Sequence, residues 1–336
     1  MFTSEQGVMT FNKNDTNSAL RIALTITFCM LIGKLANFNS PVYFALYPTL
    51  LMTKGRQFSW SGIAAMFLPT FMAASAALIV NNLFYNHPFI IWSISLFFFD
   101  FMRRRANTPA KLNQLLMPTF NWILIIIFAQ HTDMNMPMRI HEILLAMIIT
   151  AVVAKTMIWL FPVTQKQPPF TPMPTFNISY QHRFITLSLL GISVAFLMVV
   201  NLISAVFCLV PVIAAATQIS RANYIKTVKL RFITQIGGCM IALIFSVIIM
   251  GHQTIIPYYA FILGGLIFTL AMMMSTSNGP ERDIHADTIL ATVLPIQLYL
   301  GNNTLNLNST FLRSWELAVT LGILFLIHFL CSTKRT

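Results

Sequence analysis

Met138-Arg139-Ile140-His141-Glu142-Ile143-Leu144-Leu145-Ala146 opens the last apolar run in the first half of this chain, and Leu312-Arg313-Ser314-Trp315-Glu316-Leu317-Ala318-Val319-Thr320 opens the last apolar run in the second. Each places an Arg-x-x-Glu at the head of a long uncharged stretch. Working back from these two segments, Pro118 matches Pro295, Pro88 matches Pro257, Pro48 matches Pro211 and Arg21 matches Arg183. Pro48 follows Arg21 by 27 positions and Pro211 follows Arg183 by 28. Landmarks that recur in one order, at the edges and middles of apolar stretches, mark an internal duplication. A duplicated membrane unit predicts a transporter built from two bundles, with its substrate path between them.

Apolar residues make up 57% of the 336 residues and charged residues 9%, and the mean hydropathy is +0.73. A soluble domain carries about a quarter charged residues because water must solvate its surface. This composition therefore predicts an all-α integral membrane protein. The net charge of +12 does not point to nucleic acid, because the basic residues fall in short loops between apolar runs, where charge sets topology. Cys29, Cys208, Cys239 and Cys331 lie within or at the ends of apolar segments, with no CxxC or Cys/His spacing. Neither disulfides, a metal nor a cofactor is expected from them, and they serve as small apolar residues. Residues 1–17 are polar and no small-residue cleavage site follows the first apolar run, so the first span is expected to act as an uncleaved targeting signal.

About 20 helical residues cross the hydrocarbon core. With that ruler the first half divides into spans at 18–37, 41–53, 61–85, 88–102, 113–130 and 140–161, and the second at 184–201, 203–219, 232–250, 256–274, 286–300 and 313–332. Residues 184–219 are nearly uninterrupted, but a single helix of that length would run about 54 Å, too long even when tilted. A break at Asn201 is therefore expected, matching the turn Asn37-Phe38-Asn39-Ser40-Pro41 of the first half.

Seventeen Lys and Arg residues fall on the side that holds both termini, among them Lys54, Arg103, Arg104, Arg105, Arg183 and Arg231; only Lys34, Arg139 and Arg313 fall on the other. Lys155 lies within a span, near enough its basic end for the stem to snorkel. This bias predicts cytoplasmic termini. Six spans per half is an even number, so both halves enter from the same side. The expected architecture is about 12 transmembrane helices in two parallel six-helix repeats, residues 1–161 and 183–336. Residues 162–182 carry Pro162, Pro168, Pro169, Pro172 and Pro174, a stiff extended linker.

Ala19-Leu20-Arg21-Ile22-Ala23, the tight Asn/Pro turn, Tyr47-Pro48 and the basic loop after it resemble the fusaric-acid-resistance (FUSC-like) superfamily of aromatic-acid exporters. The likeness extends over the whole chain and is closest to a short branch often found beside periplasmic adaptor subunits of the HlyD type. It rests on architecture more than on an invariant signature, and the larger members' cytoplasmic domain has no counterpart here. The resemblance implies export of small organic anions or amphipathic toxins across a bacterial inner membrane, with membrane lipid, the anion and an HlyD-type adaptor as partners. Self-association is left open by the sequence, and nucleic acid is not a partner.

The Arg139/Glu142 and Arg313/Glu316 pairs stand where the sixth span of each half begins. Glu in a first helical turn is favoured by the helix dipole, but Arg there opposes both the dipole and the topological bias. One reading is structural, an exposed Arg-x-x-Glu pair contributing little. The other is functional: Arg139 and Arg313 attract an organic carboxylate, and Glu142 and Glu316 exchange protons. Pro48 and Pro211 interrupt the second spans, freeing carbonyls one turn earlier to line a cavity; a packing kink is the alternative. Pro118 and Pro295 repeat the pattern in the fifth spans, with Asn121 and Gln297 as nearby polar groups for substrate binding. Asp100 neutralises the following arginines, and Lys34 serves as a snorkelling anchor. His131, His141, His252, His285 and His328 show no metal-ligand spacing, and His328 alone is expected inside a span.

An enzyme would need a paired-carboxylate metal site, a nucleophile elbow, a zinc motif or a phosphate loop. None occurs: His141-Glu142 lacks the second His of HExxH, and no Walker motif is present. The expectation is a transporter that is not an enzyme, drawing on the proton gradient. A non-transporting accessory or scaffold subunit is the alternative, with a polytopic membrane enzyme behind it.

Overall fold

Five helices begin on a side chain that caps them. Ser59, Thr108, Asn135, Ser179 and Ser220 each accept a hydrogen bond from the backbone N–H three residues on, satisfying a donor that the first helical turn leaves open. The caps explain why most helices start before their apolar runs do. The computed structural model describes residues 13–332 apart from 56, 133, 134, 164–174, 201, 202, 219, 253 and 300–306. Within them the chain forms α1 (Lys13–Leu35), α2 (Tyr43–Lys54), α3 (Trp60–Leu83), α4 (Pro88–Arg105), α5 (Pro109–His131) and α6 (Met136–Leu160). These are followed by α7 (Tyr180–Val199), a 3-10 turn at Ile203–Cys208, α8 (Leu209–Ala216), α9 (Arg221–Ile248), α10 (Ile256–Thr276), α11 (Pro280–Tyr299) and α12 (Leu307–Ser332). No strand occurs among the described residues.

Among the described residues seven helices, α1, α3, α5, α6, α7, α9 and α10, are long and apolar enough to cross a membrane. Their outer faces carry large apolar side chains in the open: Trp159, Phe184 and Phe261 are 79%, 71% and 82% exposed. A water-soluble surface does not carry so extensive an apolar face, and the chain is a multi-pass membrane protein.

The helix boundaries correct several expectations. The run expected at 232–250 belongs to a helix that starts eleven residues earlier, at Arg221 behind the Ser220 cap, so Arg231 is a helical residue and not a loop charge. The helices expected from 140 and 313 start at Met136 and Leu307. Glu142 is therefore in the second turn of α6, not the first. The second span of the second half is a 3-10 turn leading into a short α-helix, with Pro211 near their junction. α7 ends at Val199; the expected break at Asn201 lies outside the described residues, as does most of the proline-rich linker. His141 and His285 lie inside α6 and α11, where only His328 was expected within a span; the His328 side chain is outside those described. Cys29, Cys208 and Cys239 are free and buried, and the Cys331 side chain is outside those described.

α2 and α8 occupy the middle. Every residue of α2 from Tyr43 to Thr53 is buried, and so are six of the eight residues of α8. At 12 residues α2 is about 18 Å long, too short to span the roughly 30 Å hydrocarbon core. Around them the packing joins the two halves of the chain. α1 lies on α10 and α4 on α7; α2 lies on α11 and α5 on α8; α3 packs on α5 and α9 on α11. Polar contacts fasten these seams. The Trp92 indole donates to the Gly191 carbonyl at 2.9 Å, and Arg183 grips both oxygens of Asp100 at 2.7 Å. Lys34 sits 4.3 Å over the Tyr259 ring, and Gln297 Nε2 donates to the Met30 carbonyl at 3.4 Å. Asp100 thus balances Arg104 on its own helix and also ties α4 to α7.

The α9–α11 seam depends on a glycine. A Cβ added at Gly238 would lie 2.5 Å from Ala291 Cβ and 2.9 Å from its carbonyl carbon, whereas one at Gly237 would meet nothing within 4 Å. Gly238→Val is expected to destabilise the fold by about 1–3 kcal/mol, the cost of overpacking, and Gly237→Val to leave it nearly unchanged. Apparent melting temperatures in detergent check this; equal melting for the two variants contradicts the seam.

Candidate functional site

Arg139 and Glu142 are buried, 4% and 3% exposed, which overturns the exposed-pair reading. The Arg139 Nε donates to the Tyr43 hydroxyl at 3.0 Å. Its guanidinium lies 3.8 Å over the Phe128 ring and 5.6 Å from that of Tyr43. Glu142 turns elsewhere: Oε1 accepts from the Asn39 backbone N–H at 2.9 Å and from its side-chain amide at 3.2 Å. Its Oε2 is buried with no hydrogen-bond partner among the described residues. α2, α5, α6 and the turn before α2 thus converge on a cation in an aromatic cage beside a carboxylate with one open oxygen.

Arg313 is 3% exposed and lies 5.0 Å over the Phe207 ring, within hydrogen-bonding reach of the Tyr299 hydroxyl. Its Nε and Nη1 are buried without hydrogen bonds among the described residues. Cys208, Cys239 and Leu317 form an apolar cluster beside it, and Glu316 is half-buried one turn on. The second cage therefore repeats the aromatic face and phenol of the first with different residues. α6 packs on α1, α2 and α3, while α12 packs on α8, α9 and α11, so each Arg/Glu pair belongs to its own half and the two do not form one site.

Pro48 and Pro211 are both buried in the central helices. Asn121 accepts from the Tyr47 hydroxyl at 3.3 Å and donates to the Met117 carbonyl at 3.1 Å. Next to this pair, Tyr47, Leu50, Met66, Phe67, Thr70 and Met117 line a small cavity of about 20 Å³, room for about one water molecule. It touches residues adjacent to Pro48 and Pro118. Gln297 is buried against α1, which gives it a place in the seam between the halves.

The sequence reading passed over three residues. Asp287, 4% exposed within α11, receives Lys54 Nζ at 2.5 Å and faces Arg231 Nη1 at 3.3 Å. Lys54 ends α2, Arg231 lies in α9, and the three join the two halves near the basic end of the bundle. An Asp inside an apolar run was the available signal; it fell in one of the three shortest expected spans, and its partners had been counted as loop charges. On α2 itself, Tyr43, Tyr47, Leu50 and Lys54 recur at i, i+4, i+7 and i+11, one face of a helix. That face runs from Arg139, past the stacked Tyr43 and Tyr47 rings and the cavity, to Asp287.

The cage around Arg139 needs guanidinium geometry. Lysine would keep the charge but lose the planar face on Phe128 and the Nε donor to Tyr43. Arg139→Lys is expected to cost about 1–2 kcal/mol, the worth of one charge-assisted hydrogen bond, seen as a lower apparent melting temperature. Unchanged melting contradicts the cage.

A family model described as "Protein of unknown function (DUF2955)" matches residues 18–157, from α1 into α6. No curated protein and no solved structure matches the chain.

Proposed function

We propose that the protein exports small aromatic or amphipathic organic anions across a bacterial inner membrane, driven by protons and working with an HlyD-type periplasmic adaptor. The observation that carries this reading is the single face of α2. It joins a caged cation at one end, Arg139, to a buried ion-pair cluster at the other, with aromatic rings and an apolar cavity between them. An aromatic carboxylate needs both chemistries: a cation for its head and an apolar lining for its ring. The likeness to fusaric-acid-resistance exporters points the same way.

In this reading the chain is a pair of parallel six-helix repeats with both termini cytoplasmic. The packing supports it, because adding or subtracting six turns α1–α10 into α7–α4, α2–α11 into α8–α5, and α3–α5 into α9–α11. The short central helices α2 and α8 fall beside the two-fold axis such repeats share, where parallel-repeat transporters hold their substrates. The anion leaves the basic cytoplasmic end, follows the α2 or α8 face, and is handed to Arg139 or Arg313. Glu142 Oε2, buried and open, is the atom that takes the proton. Protonation removes a negative charge beside Arg139 and strengthens its hold on the anion; deprotonation releases it. Glu316 has the same role beside Arg313.

Arg139→Ala combined with Arg313→Ala is expected to reduce efflux of an aromatic carboxylate from proteoliposomes at least about tenfold, the loss of one charge-assisted contact. Glu142→Gln combined with Glu316→Gln is expected to remove its dependence on the proton gradient. Wild-type flux that ignores the gradient, or full flux in the arginine double variant, contradicts the mechanism.

A further inference from the structure

A buried arginine and a half-buried lysine share one carboxylate at the α2–α9–α11 junction. The Arg231 and Asp287 side chains are 8% and 6% exposed, and that of Lys54 is 30% exposed. Arg231 Nη1 lies 3.3 Å from Asp287 Oδ2 and makes no hydrogen bond among the described residues. The cluster therefore carries a net charge of one positive unit, and one buried guanidinium nitrogen is left without an acceptor among the described residues. Such an excess is costly unless an anion completes it.

We infer that Lys54 and Arg231 form the entry site for the carboxylate of the transported anion, with Asp287 as a built-in stand-in that the substrate displaces. This rests on the export reading above and names where the anion first binds. A monocarboxylate brings the cluster to neutrality and supplies the acceptor that Arg231 Nη1 lacks. Lys54, the most exposed of the three, is the group through which it enters. Leu50, one turn back on the same face of α2, lies with Tyr47, Phe67 and Met117 in an apolar and aromatic patch, so a carboxylate at Lys54 directs an aromatic ring toward those side chains. Asp287 keeps the cations paired when no substrate is present and holds α11 to α2. Displacing it loosens the ionic link between the halves at the moment of loading.

The test is benzoate binding to the purified full chain in phosphatidylcholine nanodiscs, followed by calorimetry. Lys54→Gln leaves a neutral Asp287–Arg231 pair that folds without an unpaired charge, and it should weaken benzoate at least about tenfold. Lys54→Arg should restore binding, which a merely structural role for Lys54 in α2 would not require. Asp287→Asn, which removes the competitor, should tighten binding by about the same factor. Wild-type affinity in Lys54→Gln and in Arg231→Gln overturns this site and leaves the export reading standing. Absence of benzoate binding in the wild type overturns both. Repeating the titration in phosphatidylglycerol discs should leave the affinity unchanged; loss of benzoate binding there assigns the cations to a lipid headgroup and overturns the proposal.

Discussion

A helix with no polar side must be enclosed on every side, and α2 is such a helix: each residue from Tyr43 to Thr53 is buried. It is also too short to reach both faces of a bilayer, so its ends finish inside the protein. Those ends still need partners. At the first, Tyr43 meets Arg139 and the preceding turn offers Asn39 to Glu142. At the last, Lys54 meets Asp287. The enclosure of α2 therefore fixes the positions of α6 and α11, and through α11 the position of the second half. The apolar helices outside turn their large side chains outward.

Buried charge is the second consequence. In the hydrocarbon region an ionised group persists only where a partner or an aqueous path compensates it, and aromatic faces are a partial substitute. Arg139 and Arg313 are met by Phe128 and Phe207, while Lys54 and Arg231 are met by a carboxylate. All four leave the protein richer in buried positive charge than in buried negative charge. That imbalance, and the apolar and aromatic side chains beside Tyr47, accord with the proposed anionic cargo.

Much of the fold was legible in the sequence because it is written in residues with strong local consequences. The paired prolines and the Arg-x-x-Glu segments placed the helices in order, and the impossible length of 184–219 foretold a division between α7 and α8. Helix starts were misjudged wherever a Ser, Thr or Asn cap lets a polar segment continue as helix, as at Ser220 ahead of Arg231. The site was less legible. Arg139 and Glu142 were marked as important, but their burial depends on Tyr43 and Asn39, about a hundred positions away in the chain. Asp287 was missed because Lys54 lies 233 positions before it, and no local pattern signals that pairing. The stripe Tyr43, Tyr47, Leu50, Lys54 was present in the sequence but had no meaning until its two ends had partners.

In the proposed export path α2 and its counterpart α8 line the route of the anion. Thr49 and Val212, at equivalent distances from Pro48 and Pro211, are both buried in these helices. The direct measurement is the rate at which a small methanethiosulfonate reagent modifies Thr49→Cys and Val212→Cys, one at a time in a cysteine-free background, in membranes with and without benzoate. A lined path predicts that each cysteine reacts and that benzoate slows the reaction. Cysteines that stay unreactive at both positions, or that react at a rate benzoate does not change, would contradict it.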